Sequence, residues 1–433
     1  MIRQNIVHEG TSYLTYEIRE MVEVANYLNT LGVEITWENI GDPVNKGEKF
    51  PDWMKEIIKT LVLKDHTYGY VATQGVPDTR KFIAEQVNRL GGCQITHNDI
   101  LFYNGLGDAV ARIFSLLRHD IRVIGPSPGY STHGSAEAFH AKSGHITYRL
   151  DPANHWTPDI DELERKVKSN DSITGILMIN PNNPTGSIYL LPDLERIVMI
   201  AQKYRLFLIC DEIYTNIIYR EKQTARLCEV LGTTPGLALR GISKEYPWPG
   251  SRCGWIEVYN QDRHPVFQQY VQSLISAKRL EVCSTSLPQY SIPLIMGDPR
   301  YTRHLEKRRQ IFEERTREVH EIFSKVEGII VNKAQGAFYM SILFEPGRLN
   351  HNQTLQIKNK DAKAHIEKIV RQVAPDKRFV YYLLGATGIC VVPLTGFFSD
   401  KLGFRITLLE CDDKKRRRTW ETIAQSITEY LNS

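Results

Sequence analysis

Short apolar runs of strand length recur between residues 100 and 242, and stretches of helical periodicity separate them. They read ILFYNG from 100, IRVIGPSPGY from 121, HITYRL from 145, TGILMIN from 174, FLICDEIY from 207 and LALRGI from 237. A strand apolar on both faces must be covered on both faces, and the intervening helices supply that cover. The rhythm predicts an α/β fold with a doubly wound, mainly parallel sheet. One helix with readable ends spans Pro77 to Leu90, opening on Pro-Asp and stopping at Gly91-Gly92.

The character changes after about residue 295, where the charged helical pattern RRQIFEERTREVHEIFSKV leads into GIIVN, AFYMSILF, FRITLL and a final helix. The expected organisation is a large domain over 46–295 and a smaller α+β domain over 296–433. Residues 1–45, with a helix pattern from Tyr13 to Leu31 ending at Gly32, are expected to pack on the small domain or on a partner subunit. The stretch EPGRLNHNQTLQIKNKDAK, from 345, reads as a loop.

Among 433 residues, 54 are basic and 50 acidic, so a net charge of +4 offers no footprint for nucleic acid or an anionic membrane. The run Lys414 to Arg418 precedes Trp420, Ile423, Ile427 and Leu431, an apolar helical stripe, and reads as a solvated helix face. Seven scattered cysteines lack a C-x-x-C pair or zinc spacing, and no apolar run reaches the membrane-spanning length of about 18 residues. These features lead us to expect a cytoplasmic protein with reduced thiols.

Ligands of such sheets bind beyond the carboxyl ends of the strands, so the residues just after each run carry the functional signal. Gly105-Leu106-Gly107 opens a helix whose first amides are free to hold an anion. NPNNPTG, 180–186, presents Asn183 before Pro184, an X-Pro bond that is a candidate for the cis form. Asp211 ends a buried apolar run, which is costly unless it meets a cation or strong donors; a helix cap is the alternative reading. Lys244 lies in GISKEYPWPGSRCGW, 241–255, with Arg252 beyond the Pro-Gly turn. A solvent-facing lysine needs no such rigid support.

Together these groups answer the separate needs of pyridoxal 5′-phosphate: a phosphate, a ring phenolate oxygen, a ring nitrogen, an aromatic face and an aldehyde. From about Gly41 to Arg405 the sequence resembles the fold type I aminotransferases of class I/II, with NPNNPTG, DEIY and SK followed by PGSRCGW in that family's order. The resemblance implies a seven-stranded sheet and pyridoxal phosphate as cofactor. It also implies that Lys244 forms a Schiff base, that Asp211 partners the ring nitrogen, and that Asn183 and Tyr214 donate to the ring oxygen. Tyr130 in PSPGY matches the aromatic stacked on the ring. The amides of Leu106 and Gly107, with Ser243 and Arg252, match the phosphate cup, and Tyr70 matches a tyrosine reaching it from the neighbouring subunit of a homodimer. Arg405 matches the arginine that grips the substrate α-carboxylate, beside the backbone of Gly41. Gly241 departs from the pattern, since many members carry a serine three residues before the lysine.

Each implied role has a physical basis. A helix N-terminus contributes only about 0.3–1 kcal/mol towards an anion, so a dianion also needs Arg252, at about 1.5–3 kcal/mol per charged hydrogen bond. An aspartate beside the ring nitrogen keeps it protonated, and a freed lysine amine can move a proton. On FRITLL, Phe404, Ile406 and Leu408 share one face, leaving Arg405 and Thr407 on the other, where the planar fork suits a carboxylate.

The implied activity is a ping-pong transamination of a small or medium α-amino acid, with pyruvate or 2-oxoglutarate as acceptor. ATGICVVPLTGF, from 386, is similar to alanine-type members. A β-lyase, decarboxylase or oxidase on the same fold is the alternative, with keto-acid-independent release of ammonia or CO2 as its mark; a non-catalytic binding protein is the third. Tyr13, Tyr16 and Trp37 read as packing residues near the mouth of the site.

Overall fold

The computed structural model describes residues 6–219 and 224–433, so residues 1–5 of the expected N-terminal segment lie outside it. Strands Ile100–Tyr103, Arg122–Ser127, Thr147–Asp151, Ile173–Ile179, Phe207–Asp211, Gly236–Gly241 and Gly254–Tyr259 form one sheet, and the two-residue strand Thr157–Pro158 extends its edge. The strands beginning at 236, 207, 173, 122 and 147 pair in parallel in that spatial order. Gly254–Tyr259 runs antiparallel between Gly236–Gly241 and Ile100–Tyr103. The α/β, mainly parallel architecture is as expected; the expected seven strands gain a short eighth, antiparallel to its neighbour.

Alternation along each strand explains why the runs are apolar throughout. Ile124, Ile176, Met178, Leu208 and Ala238 enter one hydrophobic cluster. Their neighbours Val123, Leu177, Ile179, Ile209 and Leu237 enter another, so both faces are covered. The helix read as Pro77 to Leu90 spans Pro77–Asn88.

A second sheet joins Ile329–Val331, Tyr339–Phe344, Gly403–Thr407 and Val392–Pro393, all antiparallel. Its apolar residues Met340, Ile342, Phe404 and Ile406 share a cluster with Met21, Ala25 and Leu28 of the helix Glu17–Thr30. Thr36–Trp37 pairs in parallel with Ile389–Cys390, which carries the following segment, 38–48, towards the carboxyl ends of the large sheet. In the last helix, Asp413–Leu431, the basic run is not wholly solvated. Arg416 is buried, bridging Glu318 at 3.2 Å and Asp413 at 2.6 Å, because its position turns it inward beside Trp420.

Candidate functional site

The carboxyl ends of five strands of the large sheet converge with two strands of the small sheet on a cavity of about 330 Å³. Gly41, Leu106, Gly107, Tyr130, Asn183, Asp211, Tyr214, Ser243, Lys244, Arg252 and Arg405 line it. Eleven of the twelve residues singled out in the sequence therefore meet in one place. The twelfth, Tyr70, is 88% exposed and does not line the cavity.

After Ile100–Tyr103 the chain turns at Gly105 (φ +85°) into the helix Leu106–Ser115. A Cβ at Gly105 would come within 2.5 Å of the Arg252 guanidinium, so only glycine lets that cation lie over the helix N-terminus. Arg252 donates to the carbonyls of Pro249 at 3.2 Å and Asn104 at 3.4 Å and has no carboxylate partner among the described residues. Free amides and a cation thus face the same space, which suits a phosphate. A Cβ at Gly241 would lie 3.0 Å from the carbonyl oxygen of Cys253, just before the paired strand, a tight approach that favours glycine where many members of the family carry a serine.

Asp211 is the last residue of Phe207–Asp211 and is buried. One of its oxygens accepts from the Ile213 amide at 3.1 Å, and the other lies 2.8 Å from His133 Nε2. His133 was missed by sequence reading, although it sits three residues after Tyr130 on the helix Ser131–Ala141 and so shares its face. Asn183 and Tyr214 are buried nearby. The cis peptide bonds among the described residues are Ser127–Pro128 and Asn180–Pro181, not Asn183–Pro184.

Lys244 Nζ donates to the Gly41 carbonyl at 2.7 Å. Burial pushes its amine down to about 8; Arg405 and Arg252 add repulsion, while Asp42 and Asp211 oppose the shift. At the other end Arg405, 1% exposed, donates to Asn183 Oδ1 at 3.0 Å and to the Asn39 carbonyl. Its guanidinium lies between the rings of Tyr339 (4.4 Å) and Phe397 (5.0 Å), its Nε has no partner, and no carboxylate among the described residues pairs with it. A buried cation without a counter-charge is costly, which identifies a place for an anion supplied from outside.

Tyr339 also lines the cavity, and no local motif announced it; its role comes from strand pairing. Of the three aromatics read as packing residues, Tyr16 lines the cavity and its hydroxyl lies 3.0 Å from that of Tyr130. That pairing is between residues 114 apart in sequence, so spacing could not reveal it. Arg19 and Asp42 add one charge of each sign to the lining.

The profile of the family described as Aminotransferase class I and II matches residues 36–423. An uncharacterized aminotransferase of Methanocaldococcus jannaschii is 53% identical over 432 residues, covering 100% of both chains. The glutamate-pyruvate aminotransferase of Escherichia coli K12 is 26% identical over 77% of this chain and 82% of its own. The solved alanine aminotransferase of Pyrococcus furiosus superposes with a TM-score of 0.83 at 26% identity, covering 98% of this chain and 100% of that one. The profile's span and a full-length relative more than half identical agree with the converging strand ends: the chain belongs to the class I and II aminotransferases, enzymes that transfer amino groups.

Proposed function

We propose that the cavity holds pyridoxal 5′-phosphate covalently joined to Lys244 as a Schiff base, and exchanges an amino group between a small α-amino acid and a 2-keto acid in two half-reactions. The observation that carries this reading is a depressed-pKa amine and an unneutralised buried guanidinium lining one cavity of about 330 Å³. The residues fit the cofactor: Arg252 over Gly105 suits its phosphate, buried Asp211 its ring nitrogen, Tyr130 its face and Lys244 its aldehyde. When bound, that group supplies an aldehyde that takes up the amino group and a ring that accepts the electron pair of a broken Cα–H bond.

The chain's own residues do the rest. Arg405 and Asn183 bind the substrate α-carboxylate and so fix which bond at Cα faces the ring. Asp211, oriented by His133, holds a proton on the ring nitrogen. Lys244, once displaced by the incoming amine, would take the proton from Cα and deliver it to the carbon that had carried the cofactor's aldehyde oxygen, on the other side of the amino nitrogen. Its lowered pKa makes the neutral amine available at lower pH than on a surface lysine. The limited cavity and the names of the alanine and glutamate-pyruvate relatives support a small substrate with pyruvate or 2-oxoglutarate as acceptor.

We also read the chain as a cytoplasmic homodimer with a large domain over 46–295, a small one over 296–433 and an N-terminal segment over 1–45. Exposed Tyr70, away from its own cavity, supports a role in a neighbouring subunit's phosphate cup. Seven unpaired cysteines support a reducing compartment, and among the described residues no helix is long and apolar enough to cross a membrane.

Borohydride reduction of the cofactor-supplemented protein, followed by peptide mass analysis, tests the reading. It should add the reduced cofactor to the peptide holding Lys244 and to no peptide of Lys244→Ala; an unmodified wild-type peptide would reject it. Mixing Lys244→Ala with Tyr70→Phe subunits tests the dimer, since activity above either parent requires shared sites.

A further inference from the structure

We propose that Tyr339 is a positioning residue tying the carboxylate grip of Arg405 to the Tyr214 hydroxyl that would hold the cofactor's ring oxygen, an inference that rests on the cofactor reading above. Three separate contacts meet on this one side chain.

The first is the ring. In the antiparallel pairing Tyr339 lies opposite Thr407 and Ser341 opposite Arg405, which makes Tyr339 and Arg405 diagonal neighbours on one face. The guanidinium lies 4.4 Å above the Tyr339 ring, with Phe397 at 5.0 Å holding it as well. Two aromatic faces fix the plane of the fork before any carboxylate arrives.

The second is the hydroxyl, 3.2 Å from that of Tyr214, which donates to it. A phenol has one proton and two lone pairs. Once Tyr214 gives its proton to the ring oxygen it can no longer donate to Tyr339, and the contact persists only if Tyr339 donates instead. That reversed pair polarises the Tyr214 hydroxyl and strengthens its hold on a negative ring oxygen. The third contact is with the backbone segment carrying Gly41. A Cβ there would fall 1.8 Å from the Tyr339 hydroxyl oxygen, and the Gly41 carbonyl holds the Lys244 amine. The arginine of the carboxylate grip, the Tyr214 hydroxyl and the glycine whose carbonyl holds the reacting amine therefore all meet at one tyrosine.

The test compares cofactor-loaded wild type, Tyr339→Phe and Tyr339→Leu by two readouts other than turnover. One is the pH midpoint of the absorbance band of the Lys244-linked cofactor; the other is the Kd for propionate by calorimetry. Tyr339→Phe removes only the hydroxyl: the ring oxygen is held less firmly and retains its shared proton more tightly, so the midpoint rises by about half a pH unit. Propionate binding should stay within about 2-fold because the stacked ring remains. Tyr339→Leu should show the same rise and bind propionate about 10-fold more weakly. Gly41→Ala should be less damaging in the Tyr339→Phe background, where the nearest atom left is a ring carbon at 2.9 Å. A Tyr339→Phe protein with an unshifted midpoint overturns the proposal. So does an equal loss of propionate binding in both variants, because the hydroxyl would then be gripping the carboxylate itself. A wild-type protein that forms no Lys244 linkage defeats the cofactor reading instead.

Discussion

Replacing Arg405 with glutamine should abolish most activity while leaving stability almost untouched. In the free protein the guanidinium donates to Asn183 Oδ1 at 3.0 Å and to the Asn39 carbonyl, and stacks against rings at 4.4 and 5.0 Å. Losing two hydrogen bonds from a charged group costs about 1.5–3 kcal/mol each, and the stacking about 0.5–2 kcal/mol per ring. Against this, the variant no longer buries a cation without a carboxylate, a penalty of several kcal/mol, and glutamine keeps one amide donor. The terms nearly cancel, so the thermal midpoint should move by no more than about 3 °C. The substrate carboxylate enjoys no such cancellation. Two charge-assisted bonds are lost from the transition state, about 3–6 kcal/mol, or about 10²–10⁴-fold in kcat/KM. Scanning calorimetry and single-turnover spectroscopy with alanine measure the two quantities on one preparation. A midpoint lowered by about 10 °C alongside the activity loss would mark Arg405 as structural, and a kcat/KM within about tenfold of wild type would remove it from carboxylate recognition.

Three further outcomes follow from the site. The depressed Lys244 pKa means that between about 8 and its unfolded value the unfolded state binds more protons, so in cofactor-free protein this lysine's contribution to stability rises with pH over that window; in urea titrations the stability of wild type relative to Lys244→Met should be constant below about 8 and climb as pH rises above it, and a difference that stays flat throughout would refute the shift. Gly105→Ala places a Cβ 2.5 Å from the Arg252 guanidinium at φ +85°, and cofactor affinity by fluorescence titration should fall at least about tenfold with the sheet intact by circular dichroism. His133→Phe removes the 2.8 Å contact to buried Asp211, and an oxygen left unpaired there should weaken cofactor binding by about 1–3 kcal/mol; unchanged affinity would show that the histidine does not orient the carboxylate.

Much of the site was legible because it is built from strand ends. Asp211 and Lys244 follow apolar runs directly, and Gly105 opens a helix, so position relative to a run reported position in the fold. What was not legible came from pairs distant along the chain. Tyr16 meets Tyr130 across 114 residues, and His133 meets Asp211 across 78. Arg416 misled for a related reason: a basic run reads as solvated until the partner helix bringing Glu318 to 3.2 Å is known.

The amino-acid order by itself determined which segments could be two-face-covered strands, where they end, and which chemical groups stand at those ends, because periodicity and chain geometry act over a few residues. Only the tertiary structure decided that Arg405 would be buried without a carboxylate, that Lys244 would lose its proton near pH 8, and that Tyr339 would touch the rest of the site. Desolvation and electrostatic fields sum over all neighbours in space, and most of those neighbours are far away in sequence.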